Sequence, residues 1–419
     1  MAEIQVDVAI VGGGPAGLGA ALELRRLGVA RVLILDREEH AGGIPRHCRH
    51  PSFGWREFRR LLGGPEYARR LVNAAIAAGV EIRTRHSVVN LKDGGVLEAT
   101  APEGRRLVRA RRVILAAGAR ETPLSARLAP GDRAMGCLTT GALQSFLYGH
   151  GLLPFRRPLI VGTEIVSLSA ILTCRSAGIR PAAVIEANGQ PTARKPLSLL
   201  PRLYGIPVYY GAQIADIRGR SRVETVTVQL DGGGTREIAC DGVLCTGRFV
   251  PETGVVRASH LEMDSGTAGP SVDQFGRCSD PAYFAAGNVL RPVETAGWCY
   301  REGRQIGGFV ARDLSGALPD WRRSVPVARA GGVRFAVPQR ICVAPGGEGL
   351  ENLQLRFDRR GPGELVVGFE GREVMRRKMS AAPERRVLVR LAEIRIPASA
   401  KSIPVEFRYS EQAAQPRSE

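Results

Sequence analysis

Between residues 6 and 36 the chain carries the pattern that most restricts its fold. An apolar run, Val-Asp-Val-Ala-Ile-Val, leads into the turn Gly12-Gly13-Gly14-Pro15-Ala16-Gly17; a helical stretch extends from Pro15 to Leu27, and a second apolar run ends at Asp36. Gly-x-Gly-x-x-Gly placed directly after a strand and opening a helix is a βαβ unit shaped around a dinucleotide. Gly12 allows the tight turn, Gly14 lets the backbone approach a pyrophosphate, and Gly17 lets helix and strand pack closely. The free amides at the helix start, beside Pro15 and Ala16, face the phosphates at the positive end of the helix dipole. Asp36 stands about 20 residues on, where a carboxylate accepts the ribose hydroxyls, with Arg37 next to it.

The rest of the chain alternates in the same way. Helical periodicity over 66–78 is followed by an extended run at 80–91, a hairpin near Glu103-Gly104 and a strand at 112–116. A second strand–helix–strand cycle occupies 158–162, a helix to about 177, and 181–186. Segments 206–210, 213–218, 222–230 and 235–239 suggest a small antiparallel layer, closed by a strand at 242–246; strand 283–286 then runs into a helix at about 296–313. After Pro319 the style changes to short alternating strands at 353–357, 364–369, 386–391 and 403–409, the pattern of a compact β-sandwich. The fold class expected is α/β: two nested Rossmann-like, three-layer dinucleotide-binding domains plus a small C-terminal all-β domain. The boundaries read are 1–125 and 251–318 for the first domain, 126–250 for the nested one and 326–410 for the β domain; the last ten, polar residues are expected to fray.

Four segments resemble the flavoproteins with two dinucleotide-binding domains, the pyridine nucleotide-disulphide oxidoreductase-like group, across roughly residues 5–315. They are Gly12 to Gly17, Val113-Ile114-Leu115-Ala116-Ala117-Gly118-Ala119-Arg120, Leu244-Cys245-Thr246-Gly247-Arg248-Phe249-Val250-Pro251 and Tyr283-Phe284-Ala285-Ala286-Gly287-Asn288. The resemblance implies FAD in the first domain. It places Gly12, Gly14, Pro15, Ala16, Gly17, Asp36, Arg37 and Gly43 at the ADP half, Val88 at adenine, and Ala117 and Gly118 along the cofactor. Gly287, Asn288, Gly297 and Trp298 then serve the ribityl chain and ring system. Asn288 departs from the group's Asp but keeps an acceptor oxygen.

The nested domain departs further. After Leu159-Ile160-Val161-Gly162 the chain reads Thr163-Glu164-Ile165-Val166-Ser167, so only the first glycine of the fingerprint remains. A side chain at 164 obstructs close backbone approach and a carboxylate opposes a pyrophosphate. A shell retained for packing, with Thr163 as helix N-cap and Glu164 in the first turn, is favoured over NAD(P)H binding, although Glu186 stands at the ribose position. The redox disulfide of the group is missing: Cys48 is alone after Gly42-Gly43, and the eight cysteines (48, 137, 174, 240, 245, 278, 299, 342) form no Cys-x-x-Cys. Cys240 and Cys245 read as two buried thiols. Cys48, flanked by His47 and Arg49, reads as incidental rather than as an activated thiolate. No metal site is expected at His47 and His50, and no catalytic base stands out.

The Gly42–Gly79 stretch and Gly131 to Gln144 resemble, more narrowly, the FAD-containing subunits of hydrogen cyanide synthase, opine oxidase and hydroxyproline dehydrogenase, and flavoproteins accompanying glycerol-3-phosphate dehydrogenases. That resemblance implies an electron-relaying subunit partnered by a second, substrate-oxidising flavoprotein and an electron acceptor. The other readings are a self-sufficient NAD(P)H-dependent reductase and a non-enzymatic flavin-bearing scaffold. The net charge of +18 comes from scattered arginines, with only four lysines and aromatics at 5%. That argues against nucleic acid and leaves attraction to an acidic partner or an anionic membrane surface. The run Arg376-Arg377-Lys378 reads as a solvated face. No segment reads as a membrane span or a leader, so a cytoplasmic protein is expected.

Overall fold

The computed structural model describes residues 2–343, 349–369, 372–394, 396–397 and 399–410; the expected fraying of the tail falls, Ser410 apart, outside them. The chain packs as two compact units, one of residues 1–43, 70–119 and 251–419, the other of residues 44–69 and 120–250. Among the described residues no helix is long and apolar enough to cross a membrane.

In the first unit the parallel strands lie in the order Glu81–Arg83, Val32–Leu35, Ala2–Val11, Gly104–Leu115. Gly104–Leu115 is 12 residues long, although only its apolar end looks like a strand in sequence. Its first half alternates exposed Arg109 and Arg111 with buried Val108 and Ala110, the period of a strand with one wet face. That half pairs antiparallel with Val96–Ala101 and the apolar end pairs parallel with Tyr283–Ala285. Val8, Ile10, Leu33, Ile34, Ile114 and Phe284 are fully buried in this core.

Helices Pro15–Arg26 and Ala296–Leu314 pack against one another through bare backbone. A Cβ on Gly303 would lie 2.0 Å from the Ala16 carbonyl oxygen, and one on Gly307 would lie 2.6 Å from that of Ala20. Arg304 then pairs with Glu23 across the crossing at 2.5 Å.

The C-terminal part of this unit is a β-sandwich. A five-stranded sheet (Arg340–Cys342, Ser324–Gly331, Ile403–Tyr409, Gly361–Phe369, Arg372–Ala381) faces a three-stranded one (Val333–Val337, Asn352–Phe357, Val387–Arg390). Leu355, Phe357, Leu365, Val367, Val405 and Phe407 fill the space between them. It is bonded to the dinucleotide domain by the Gln274 side chain, whose amide donates to Cys342 O (2.8 Å) and accepts from Cys342 N (2.7 Å). On the outer strand Arg376 pairs with Glu364 and Glu373, and Arg377 with Glu393.

The second unit has a parallel sheet ordered Cys137–Thr139, Gly242–Cys245, Pro158–Val161, Ala183–Glu186, Val208–Tyr210. Val208–Tyr210 therefore completes the parallel sheet, and the antiparallel layer is the three strands Ala212–Arg218, Thr225–Leu230 and Thr235–Ala239. Residues 44–69, which the sequence assigns to the first domain, pack in this unit. Polar side chains hold them there: Cys48 Sγ donates to Gln144 Oε1 at 3.3 Å, and His50 Nε2 lies 2.8 Å from Ser169 Oγ.

The helix crossing predicts a contrast between two glycines. Gly303→Ala, whose methyl meets backbone, should lower the unfolding free energy by about 1–3 kcal/mol. Gly308→Ala, with no atom within 4 Å of its Cβ, should be neutral or stabilising by up to about 1 kcal/mol. Chemical denaturation of the two variants measures both.

Candidate functional site

The glycine turn of the first unit is built by the strand before it and the carboxylate beside it. Gly13 N donates to Asp36 Oδ2 at 2.8 Å and Glu38 N to Asp36 Oδ1 at 2.9 Å. Asp36 is thereby fixed, with a further lone pair on each oxygen to offer. Gly12 holds φ +109°, and a Cβ there would sit 2.5 Å from Ala116 O, so Ala116-Ala117-Gly118 closes one side of the turn. Gly43 packs on Gly14: a Cβ at 43 would be 2.9 Å from Gly14 Cα.

Gly14 itself behaves differently. It is the N-cap of Pro15–Arg26, and a Cβ on it would meet only Gly43 Cα, at 3.8 Å. Protein packing leaves room for a side chain at 14, as it does at Gly118, where no atom lies within 4 Å. This is the cradle a diphosphate needs, bounded by the first-turn amides of the helix, and the residues fit the ADP half of FAD.

Other expected residues are placed as follows. Arg37 is exposed, 3.7 Å from Glu252. Val88 lies on the edge strand Ser87–Lys92, half-buried against the core, and His86 N, just before that strand, donates to Asp36 O at 2.9 Å. A Cβ on Gly287 would lie 2.7 Å from Ala16 Cβ, which brings the strand end at 285 to the start of the first helix. Asn288 Oδ1 accepts from Glu294 N (2.7 Å) and its Nδ2 donates to Glu294 O (3.1 Å). A carboxylate could make only the first of these bonds, which gives the departure from Asp a structural reason. Gly297 and Trp298 form the first turn of Ala296–Leu314.

Around that turn lies a charged cluster that no local motif announces. Arg291 and Glu302 form a bidentate pair (2.7 and 3.1 Å), with side chains only 3% and 7% exposed, and Glu302 Oε2 also accepts from Gly287 N at 2.7 Å. From the sandwich, Arg356 and Arg386 reach Glu294 at 3.1 and 2.9 Å, and Arg386 stacks over the Trp298 ring at 4.1 Å. These partners lie 11 to 92 residues apart, beyond the reach of spacing arguments.

In the second unit Glu186 repeats the role of Asp36. It accepts from Thr163 N (3.1 Å) and Asn188 N (3.0 Å). Thr163 is not the N-cap expected from the sequence. Its hydroxyl donates to Glu186 and accepts from Thr192 N at 2.9 Å, and Glu164 is the cap residue of Ile165–Ser176.

All eight cysteines are free, and all but half-buried Cys137 are buried. Burial pushes the Cys48 thiol up to about 12 despite its bond to Gln144, which rules against an activated thiolate. The one grouping of potential metal ligands among the described residues is Asp93, His260 and Asp280. There the two imidazole nitrogens lie 3.3 and 3.0 Å from the carboxylates, a grouping distinct from His47 and His50.

Comparisons with known proteins bear on the family and the fold. Residues 6–303 match the family model of the pyridine nucleotide-disulphide oxidoreductases. An opine oxidase subunit of Agrobacterium tumefaciens (strain Ach5) is 27% identical over 344 residues, 74% of this chain and 64% of that protein. Hydrogen cyanide synthase subunit HcnB of Pseudomonas aeruginosa is 28% identical over 335 residues, 72% and 69% of the two chains. The chain thus spans about two thirds of the length of these relatives. Thioredoxin reductase of T. acidophilum has the same fold over 74% of this chain and 98% of its own, with a TM-score of 0.62 at 22% identity. On the match over residues 6–303, the chain belongs to the pyridine nucleotide-disulphide oxidoreductase family.

Proposed function

We propose that this chain is the electron-relaying, FAD-carrying subunit of a heteromeric dehydrogenase for an amine, opine or hydroxy substrate. A second flavoprotein subunit oxidises the substrate, and a separate acceptor removes the electrons. The observation that carries this reading is the state of the cysteines. All eight are free, and burial raises Cys48, Cys174 and Cys299 to about 12 and Cys240 and Cys245 to about 11. The chain has no Cys-x-x-Cys pair with which to reduce a disulfide, although its family is named for that reaction, and in this reading its electrons go elsewhere. The subunit names of the opine oxidase and hydrogen cyanide synthase relatives point the same way.

FAD supplies the electron-carrying chemistry when bound, and the polypeptide supplies position and charge. In this reading Gly12, Gly14, Pro15, Ala16 and Gly17 cradle the diphosphate. Asp36 takes the ribose hydroxyls, with Arg37 and Gly43 beside it and Val88 at the adenine. Ala117 and Gly118 line the cofactor. Gly287 and Asn288 set the ribityl segment, and Gly297 and Trp298 bring the positive end of helix Ala296–Leu314 to the ring system, where it favours negative charge. The competing reading, a self-sufficient NAD(P)H reductase, is favoured by one observation, the Asp36-like placement of Glu186.

Three outcomes are expected. Gly14→Ala should leave the apoprotein within about 0.5 kcal/mol of the parent and weaken FAD at least about tenfold, ~1.4 kcal/mol; differential scanning and flavin fluorescence measure the two. Anaerobic titration of the holoprotein with stoichiometric NADH should leave the flavin absorbance oxidised, and prompt bleaching would favour the self-sufficient reductase instead. Iodoacetamide at pH 8 should label Cys48 slowly, because a thiol raised to about 12 stays protonated until the pH approaches that value.

A further inference from the structure

The two units carry loops of the same backbone shape, although in sequence only the first glycine is shared. Gly12 and Gly162 turn the chain with φ +109° and +119°. Gly14 and Glu164 each cap the following helix in extended backbone, φ −79°, ψ −176° and φ −76°, ψ 177°. Gly42 N donates to Gly13 O at 2.7 Å and Ala193 N to Thr163 O at 2.9 Å. Asp36 and Glu186 hold the equivalent amides, those of Gly13 and Glu38 in one unit and those of Thr163 and Asn188 in the other. A nested domain that keeps this scaffold has kept the shape of a dinucleotide site.

The difference lies in what stands on the cradle. Beyond Gly14 there is open space, whereas from position 164 a side chain extends back over the turn. Its Oε2 is 2.6 Å from where a Cβ of Gly162 would be, and its Oε1 is 2.6 Å from where a Cβ of Gly247 would be. Gly162 follows the strand Pro158–Val161 and Gly247 follows Gly242–Cys245, its neighbour in the sheet. The carboxylate therefore spans the two turns between which a diphosphate has to pass, at the N-terminus of helix Ile165–Ser176. Helix N-termini accept anions of either kind, and a carboxylate there is stabilising on its own account.

A second carboxylate adds to the effect. Glu121 Oε2 accepts from Gly141 N at 2.8 Å, at the start of helix Thr140–Gly149, with the Gly247 amide as another polar neighbour. Two acidic side chains thus converge on Gly247.

We propose that Glu164 is the built-in occupant of the nested domain's pyrophosphate seat, its carboxylate standing where the diphosphate of NAD(P)H would lie, and that it is the residue that denies this chain a pyridine nucleotide. The inference deepens the relay reading and rests on it for the consequence that electrons arrive from a protein partner.

The test uses the FAD-loaded protein and ADP-ribose, a redox-silent probe that contains the diphosphate and both riboses but no nicotinamide. Binding is measured by calorimetry for the parent, Glu164→Gly and Glu164→Gln, with flavin content and circular dichroism confirming that each variant is folded. The parent should bind ADP-ribose undetectably at millimolar concentration. Glu164→Gly, which clears the seat at a position where glycine is a tolerated cap, should bind at least about tenfold more tightly, ~1.4 kcal/mol. Glu164→Gln, which removes the charge and leaves the seat filled, should stay with the parent. Tight binding by the parent, or no gain in the glycine variant, overturns the proposal. Equal gains in both variants also overturn it, since charge rather than occupancy would then be the bar. Each of these results leaves the NADH titration of the unaltered protein to judge the relay reading separately.

Discussion

Backbone meeting backbone between two helices is the constraint on which the first unit depends. Helix Pro15–Arg26 begins at the glycine turn, and helix Ala296–Leu314 begins some 280 residues later. Because Gly303 and Gly307 present no side chain toward Ala16 and Ala20, the later helix can lie directly on the earlier one. Close-packed interiors give little room for adjustment, so this crossing fixes where Gly287 and the first turn at 296 stand relative to the pyrophosphate loop. Arg291 and Glu302 then lock the connection from below, and a buried bidentate pair of this kind holds its geometry because neither partner can be lost alone without stranding a charge.

The sandwich domain takes part in the same arrangement. Glu294, whose backbone is held by the Asn288 side chain, also holds Arg356 and Arg386. Around the helix start at 296 Arg291 is paired with Glu302, and Arg356 and Arg386 share Glu294. A module that looks from the sequence like an appended domain supplies part of the electrostatic setting of that turn.

What could be read from the sequence and what could not divide by range. The turn at Gly12–Gly17 and Asp36 were legible because the chemistry sits within one βαβ unit and its spacing is dictated by strand and helix length. The altered turn at Gly162–Ser167 was legible for the same reason, although Thr163 gave its hydroxyl to Glu186 rather than to the helix. Strand Gly104–Leu115 was under-read because arginines on its wet face mask the alternation. The placement of 44–69 with the second unit, and the partners of Glu294 and Glu302, rest on contacts between residues far apart in the chain, which no pattern of spacing encodes.

The two glycine loops also differ in what their stability answers to. A site that binds a ligand only when folded gains stability as the logarithm of ligand concentration over its dissociation constant, so the unit with the open cradle becomes firmer as FAD is supplied and softer as it is withdrawn. The unit whose cradle is filled by its own carboxylate carries its counter-anion covalently, at a concentration that never varies. Starvation for flavin would therefore loosen one half of the chain and leave the other at its full strength, with the boundary between them falling where the polypeptide crosses at residues 43–44, 69–70, 119–120 and 250–251.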